Sequence, residues 1–168
     1  MTGRMRMDMR IIRRKISILA FLMIIAMSLT GCMEEDDVSK VSKEWGLDLK
    51  DAESVTVIEE THGGFHGDGD TVIKVEFSDD SFSDQANEDE NWNPLPLNKT
   101  LHTLIYEVCS NTLSLPDIKN GYYSFTDRYD GAENHNAGPE LLERYSYNFD
   151  FGIYDSDTRT LYLCKCDS

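Results

Sequence analysis

The sequence has no apolar run long enough to cross a membrane, and few basic residues outside its N-terminal segment. The longest apolar stretch, Ile16–Met27, has twelve residues with Ser17 as its single polar interruption, whereas a spanning helix needs about 20. Residues 1–31 hold 6 of the 16 basic and 1 of the 31 acidic residues, so residues 32–168 hold 10 and 30. The resulting net charge of −20 over 137 residues argues against a DNA or RNA reader, which must neutralise phosphates. Cationic partners remain, although an acidic surface also simply keeps a domain dispersed in water.

The short motifs of common catalytic and nucleotide sites are also missing. No nucleophile-elbow spacing or protease-like cysteine context is present, so nucleophilic catalysis is not indicated. The glycine-rich segment is acidic and runs into a predicted strand, whereas phosphate loops are followed by a basic residue or a helix N-terminus. Nucleotide binding is therefore not expected, and a non-enzymatic role is favoured over an enzymatic one.

Cysteine is scarce, and the four cysteines have different contexts. Cys32 stands apart from the others, shortly after the apolar stretch. The other three are Cys109, Cys164 and Cys166, an odd number, so they cannot all be paired with one another. Cys164 and Cys166 share one face of a predicted strand, and a bond between them would strain the backbone. One disulfide from Cys109 to either of them, or three free thiols, fits the sequence.

The N-terminal segment has the parts of an export signal. Six basic residues precede Ile16–Met27, and a positive region followed by a short apolar run directs a chain into the translocon. Leu29-Thr30-Gly31-Cys32 follows, and its small residues before the cysteine are as expected before a cleavage point.

Leu29-Thr30-Gly31-Cys32 resembles the lipobox of bacterial lipoproteins. The resemblance implies that the Cys32 thiol receives a diacylglyceryl group and that cleavage before Cys32 makes this residue the new N-terminus. Two acyl chains hold a protein stably on a bilayer, whereas one gives marginal binding. We therefore expect residues 1–31 to be a lipoprotein signal peptide and the protein to be anchored on the outer face of the cell membrane. Residues 32–40 would form a short acidic tether.

Residues 41–168 are predicted to form a single α+β domain. Alternation and β-branched content indicate strands at 55–60, 71–77, 122–126, 145–153 and 160–166. Asn98 is a suitable cap, and the apolar spacing i, i+3, i+4, i+7, i+8 from Leu101 predicts the main helix, at about 99–111. The expected fold is a four- to five-stranded antiparallel sheet covered by that helix.

Three further segments have weaker patterns. Residues 40–49, which include Trp45, are expected to hold a short helix. Residues 79–96 are acidic and polar, which predicts an exposed loop. Gly138-Pro139-Glu140 is expected to open a brief helical turn through Leu142.

The glycine-rich segment 61–70 is the most unusual local sequence. It places two imidazoles and two carboxylates within nine residues: His62, His66, Asp68 and Asp70. Such ligands suit zinc or a similar transition metal, and Asp-Gly-Asp would suit calcium. Alternatively, the glycines supply the positive φ angles of a tight hairpin, with the histidines exposed. A divalent cation at these four residues would indicate a small metal-dependent hydrolase, the alternative to a binding module.

Three segments together resemble a set of small uncharacterised proteins of Gram-positive, low-GC bacteria. They are Thr-His-Gly-Gly-Phe-His-Gly-Asp-Gly, Asn-Gly-Tyr-Tyr and Arg-Tyr-Ser-Tyr-Asn-Phe. The resemblance covers roughly residues 50–168 and implies a recurring domain with no known activity. The favoured function is therefore a lipid-anchored surface module that binds a protein, a peptide or a cation.

Overall fold

One antiparallel sheet forms the centre of the fold. The computed structural model describes residues 36–61, 69–129 and 137–167. Six strands lie in these ranges: β1 (Ala52–Glu60), β2 (Gly69–Phe77), β3 (Asn93–Pro94), β4 (Gly121–Asp127), β5 (Asn148–Asp155) and β6 (Thr160–Asp167). Their order in the sheet is β1-β2-β6-β5-β4-β3, and every neighbouring pair is antiparallel. The α+β class and the antiparallel sheet are confirmed, and the described sheet has one strand more than the largest number predicted.

The helices are shorter and more numerous than the sequence predicts. Four α-helices occur in the described residues: α1 (Asp37–Trp45), α2 (Ser81–Glu88), α3 (Lys99–Thr103) and α4 (Ser110–Leu113). The helix expected at about 99–111 is present, but a π-helical turn, Leu104–Val108, separates α3 from α4. Within it, the Cys109 N–H donates to the Leu104 carbonyl, five residues back, at 2.8 Å. Apolar spacing predicts which side of a helix is buried, and not which carbonyl each N–H bonds.

Both faces of the sheet are covered, so the expected single covering helix accounts for only one of the two layers. Side chains alternate along a strand, and two separate buried clusters result. On the first face, Phe149 and Phe151 of β5 belong to one cluster with Leu104 of the π-helical turn. On the second face, Ile73 of β2 belongs to the other cluster with Val41 of α1. We call these the α3 face and the α1 face.

The segment 79–96, expected to be an exposed loop, contributes to the core instead. It forms α2 and the short strand β3, and it buries Phe82, Ala86 and Trp92 to 1%, 1% and 7% exposure. The Phe82 ring lies 5.1 Å from the ring of Tyr154 in β5. A few well-spaced apolar residues among many acids are sufficient to dock this segment, because only one side of a short helix needs to be apolar.

The predicted hairpin is confirmed at its stem. β1 and β2 are antiparallel neighbours, and the Thr61 N–H donates to the Asp70 carbonyl at 2.9 Å. In return, the Asp70 N–H donates to the Thr61 hydroxyl at 2.9 Å. Residues 62–68, the loop itself, lie outside the described residues.

Three other predicted segments shift at their ends. The strand expected at 145–153 begins only at Asn148, and the Tyr145 side chain is fully exposed. The expected turn after Gly138 is confirmed as the 3-10 helix Pro139–Glu143. The short helix expected at 40–49 begins earlier, as α1, where the Asp36 side chain accepts from the Ser39 N–H. As a separate finding, no helix within the described ranges is both long and apolar enough to span a membrane.

Candidate ligand-binding cleft

A cleft of about 410 Å³ lies on the α1 face of the sheet. Its floor consists of residues from β4, β5 and β6, and its walls come from the C-terminal end of α1 and from the segment that follows α2. Both tryptophans of the chain, Trp45 and Trp92, line it. We call it the tryptophan cleft. The other residues used below are Glu44, Asp89, Asn91, Ser124, Thr126, Asp150, Gly152 and Lys165.

The Trp92 ring packs against an aromatic neighbour and occupies the space left by a glycine on the sheet surface. Its ring meets the Phe82 ring edge-to-face, with centroids 5.1 Å apart and an interplanar angle of 84°. A Cβ atom added to Gly152 would lie only 2.7 Å from Cη2 of Trp92. Gly152 pairs with Ser124 across β4 and β5. Two small residues at neighbouring positions of the floor therefore leave room for the indole.

Trp45 is the last residue of α1, and a tight helix end fixes its position. Gly46 follows with φ +66°, and its N–H donates to the Ser42 carbonyl. The left-handed conformation favours glycine at this position. The half-buried Trp45 ring has no hydrogen-bond partner for Nε1 among the described residues. Packing and the turn at Gly46 therefore position this ring.

The cleft is acidic. It is lined by three carboxylates and one ammonium group, those of Glu44, Asp89, Asp150 and Lys165. The Lys165 Nζ lies 3.7 Å from Glu44 Oε1. The Asp150 Oδ1 lies 3.0 Å from Nε of Arg128, whose side chain is outside the lining.

The carboxylates of Asp89 and Asp150 differ in their surroundings. Asp89 Oδ1 accepts hydrogen bonds from the backbone N–H and the side-chain amide of Asn91, at 2.9 and 2.8 Å. Burial raises the pKa of Asp150, while the positive charges of Arg128 and Lys165 act in the opposite direction. Asp150 is thus a partly buried carboxylate whose charged form is favoured by nearby cations.

This arrangement has the general features of a ligand-binding cleft. Ligand sites are typically concave, with aromatic walls and a few convergent polar groups, and the tryptophan cleft has both. Across the described ranges, no group of three His, Cys, Asp or Glu side chains has the arrangement of a metal centre.

The sequence-predicted metal residues are mostly beyond what the structure describes. His62, His66 and Asp68 lie outside the described residues, as does the lipidation residue Cys32. Asp70 is described, in β2 opposite Cys166, and it is not part of the tryptophan cleft. A divalent cation at the glycine-rich segment, and the hydrolase activity it would support, stay predictions.

The three remaining cysteines are free and buried. The Cys109 thiol, at the end of the π-helical turn, hydrogen-bonds the Cys166 thiol in β6. This bond and burial raise the pKa of Cys166, and burial raises the pKa of Cys164. Of the two pairings that the sequence leaves open for Cys109, the one with Cys166 involves the thiol that interacts with Cys109 in the reduced protein.

The tryptophan cleft itself was not predicted from the sequence. Trp92 stands in a polar, proline-containing segment that favours an exposed loop, and Trp45 was recognised only as a residue available for packing. The one signal that pointed to the cleft was the rarity of tryptophan, with two in the whole chain.

The chain was compared with known proteins at three levels. No protein-family model matches it, and neither a curated protein nor a solved structure matches it. The function is therefore inferred from the residues of the cleft and of the N-terminal segment.

Proposed function

We propose that the protein is anchored by lipid on the outer face of the cell membrane. There it binds a small polar ligand, or a side chain of a peptide, in the tryptophan cleft. The observation that carries the proposal is the convergence of the only two tryptophans on one concavity. Tryptophan is costly to leave beside water and is enriched where proteins bind ligands and partners. Trp45 is half-buried and Trp92 is 7% exposed, so Trp45 retains the larger accessible surface in the cleft.

The floor of the cleft supports the same proposal. Gly152 and Ser124 make room for the Trp92 ring on this surface, so the ring lies close against the floor of the cleft. Thr126 is exposed on this floor, so a polar surface remains open beneath the indoles. A binding site needs such accessible polar groups to orient its ligand.

The location of the module is proposed from the N-terminal segment. Cys32 in its lipobox-like context supplies the anchor, and two acyl chains suffice for stable attachment. The charge of −20 on residues 32–168 is repelled by anionic lipid, so attachment depends on the acyl chains. The acidic surface also favours ligands and partners that are not nucleic acids.

The binding part is tested by filling the cleft. Thr126→Tyr places a bulky side chain on its floor while keeping a good strand former. Thr56→Tyr is the matched control, because Thr56 is also an exposed strand threonine and lies outside the cleft. The full-length chain, in non-ionic detergent, is titrated with the low-mass fraction of its own envelope, and tryptophan fluorescence is recorded.

We expect a saturable fluorescence change for the wild type and for Thr56→Tyr. For Thr126→Tyr the midpoint should rise by about tenfold or more, since loss of ~1.4 kcal/mol of binding is tenfold. A wild-type response that survives unchanged in Thr126→Tyr, or the absence of any wild-type response, contradicts the proposal.

A further inference from the structure

We infer that the ligand of the tryptophan cleft is an organic cation, held by an ammonium or guanidinium group. This inference rests on the proposed binding function and specifies its ligand. It follows from the charge of the lining, from the two indoles and from the hydrogen-bonding groups of the floor.

The carboxylates of the lining differ in whether a nearby cation balances their charge. Lys165 approaches Glu44, and Arg128 neutralises Asp150 from outside the cleft. Asp89 has no cationic partner among the described residues, and its hydrogen bonds come from Asn91. A carboxylate at the rim of a half-enclosed cleft attracts a cation more strongly than one in open water. Asp89 is therefore the anchoring charge of the inferred site.

The indoles add an attraction that only a cation uses. An ammonium or guanidinium group near a tryptophan ring gains about 0.5–2 kcal/mol from the ring quadrupole. Of the two tryptophans, Trp92 is closer to Asp89 in sequence. The backbone N–H of Trp92 donates to the backbone carbonyl of Asp89 at 3.0 Å. The anchoring carboxylate and one of the two rings thus belong to one turn of the backbone.

The floor has acceptors for the N–H groups of such a cation. Ser124 and Thr126 both line the cleft, and no hydrogen bond engages their hydroxyls among the described residues. An anion would meet three carboxylates and a single ammonium group there. The volume of about 410 Å³ matches small-ligand sites, so a free diamine or one basic side chain of a peptide fits the same chemistry.

The test uses probes that differ only in charge or in source. Nα-acetyl-lysine amide represents a peptide side chain, cadaverine represents a free amine, and Nα-acetyl-norleucine amide is the uncharged counterpart of the first. Each is titrated into the full-length chain in non-ionic detergent at low salt. The variants are Asp89→Asn, which keeps an oxygen to accept from Asn91, and Glu90→Gln as the matched control. Glu90 is the exposed neighbouring acid and does not line the cleft.

We expect at least one of the two cations to bind saturably and the norleucine probe to bind at least about tenfold more weakly. Asp89→Asn should weaken cation binding by about tenfold. Glu90→Gln should change it by no more than about twofold, because an exposed charge outside the cleft is screened. The stronger of the two cations identifies the source of the ligand.

Other results overturn the inference in distinguishable ways. Equal binding of the norleucine probe, or equal losses in Asp89→Asn and Glu90→Gln, overturns the cationic site and leaves the binding function standing. So does failure of both cations while the envelope fraction still gives a response that Thr126→Tyr removes. Failure of the probes and of the envelope fraction together contradicts the proposed function itself.

Discussion

At the scale of single residues, Tyr154 stands out because it is completely buried and its hydroxyl has no hydrogen-bond partner among the described residues. Its ring packs among Phe77 and Phe82, and burial raises its pKa. A buried hydroxyl without a partner costs roughly 1–3 kcal/mol. Tyr154→Phe should therefore leave the free energy of unfolding unchanged or raise it by about 1 kcal/mol, as measured by urea denaturation. A loss of stability would mean that the hydroxyl has a bond, for example to an internal water.

Gly152 gives the second prediction at this scale. A Cβ atom at this position would lie 2.7 Å from the Trp92 ring, and the aromatic packing of Trp92 on Phe82 leaves the ring little room to retreat. Gly152→Ala should lower the free energy of unfolding by about 1–3 kcal/mol, the usual cost of overpacking. Ser124→Ala, the cross-strand neighbour, is the control and should have a small effect. If both variants unfold alike, the contact between Trp92 and the sheet is not close.

At the scale of the elements, the sequence predicts best where apolar periodicity is long and regular. The β2, β5 and β6 strands and the buried side of the helical segment predicted at about 99–111 follow from it. The π-helical turn does not, because periodicity says nothing about hydrogen-bond partners. The strand β3 is too short to show any period.

The candidate site was harder to predict for a related reason. α2 packs through Phe82 and Ala86 alone, and a polar segment with so few apolar residues resembles a loop in one dimension. Alternation along a strand identifies one apolar side most clearly, so a sheet that is buried on both faces is harder to predict than one buried on a single face. Without a layer on the α1 face there is no cleft, so Trp92 had no predicted role.

Asp150 supplies a pH prediction for β5. Its folded-state pKa is raised above the ordinary value of 3.8, chiefly by burial. Between these two values the folded protein binds more protons than the unfolded chain, so the contribution of Asp150 to stability is lost as pH rises through the window. In Asp150→Asn this loss is absent. The stability of the variant relative to the wild type should thus increase as pH rises from 3.8 through the raised pKa.

Urea denaturation of both proteins at several pH values measures this difference. The absolute stability of the variant also includes the lost ion pair with Arg128, so the dependence on pH is the decisive quantity. A relative stability that falls with rising pH would mean that Arg128 and Lys165, rather than burial, dominate the pKa of Asp150.

At the scale of the whole molecule, charge and anchor act against each other. A net charge of −20 on residues 32–168 is unfavourable beside an anionic bilayer, so the acyl chains proposed at Cys32 provide the attachment. Cys32→Ser should leave an unprocessed precursor or release the protein from the membrane. Fractionation and the mass of the mature chain measure this. Unchanged membrane association together with unchanged mature mass would contradict the lipoprotein proposal.

The central claim is that both tryptophans contact one ligand, and the chain offers a direct test because it has only two. A proton–nitrogen NMR spectrum of the ¹⁵N-labelled full-length chain in detergent should show two indole signals, from Trp45 and Trp92. Titration with the low-mass envelope fraction should move both signals, and both should follow the same midpoint. If neither signal moves at saturation, or if only one does, the two tryptophans do not form a common binding site.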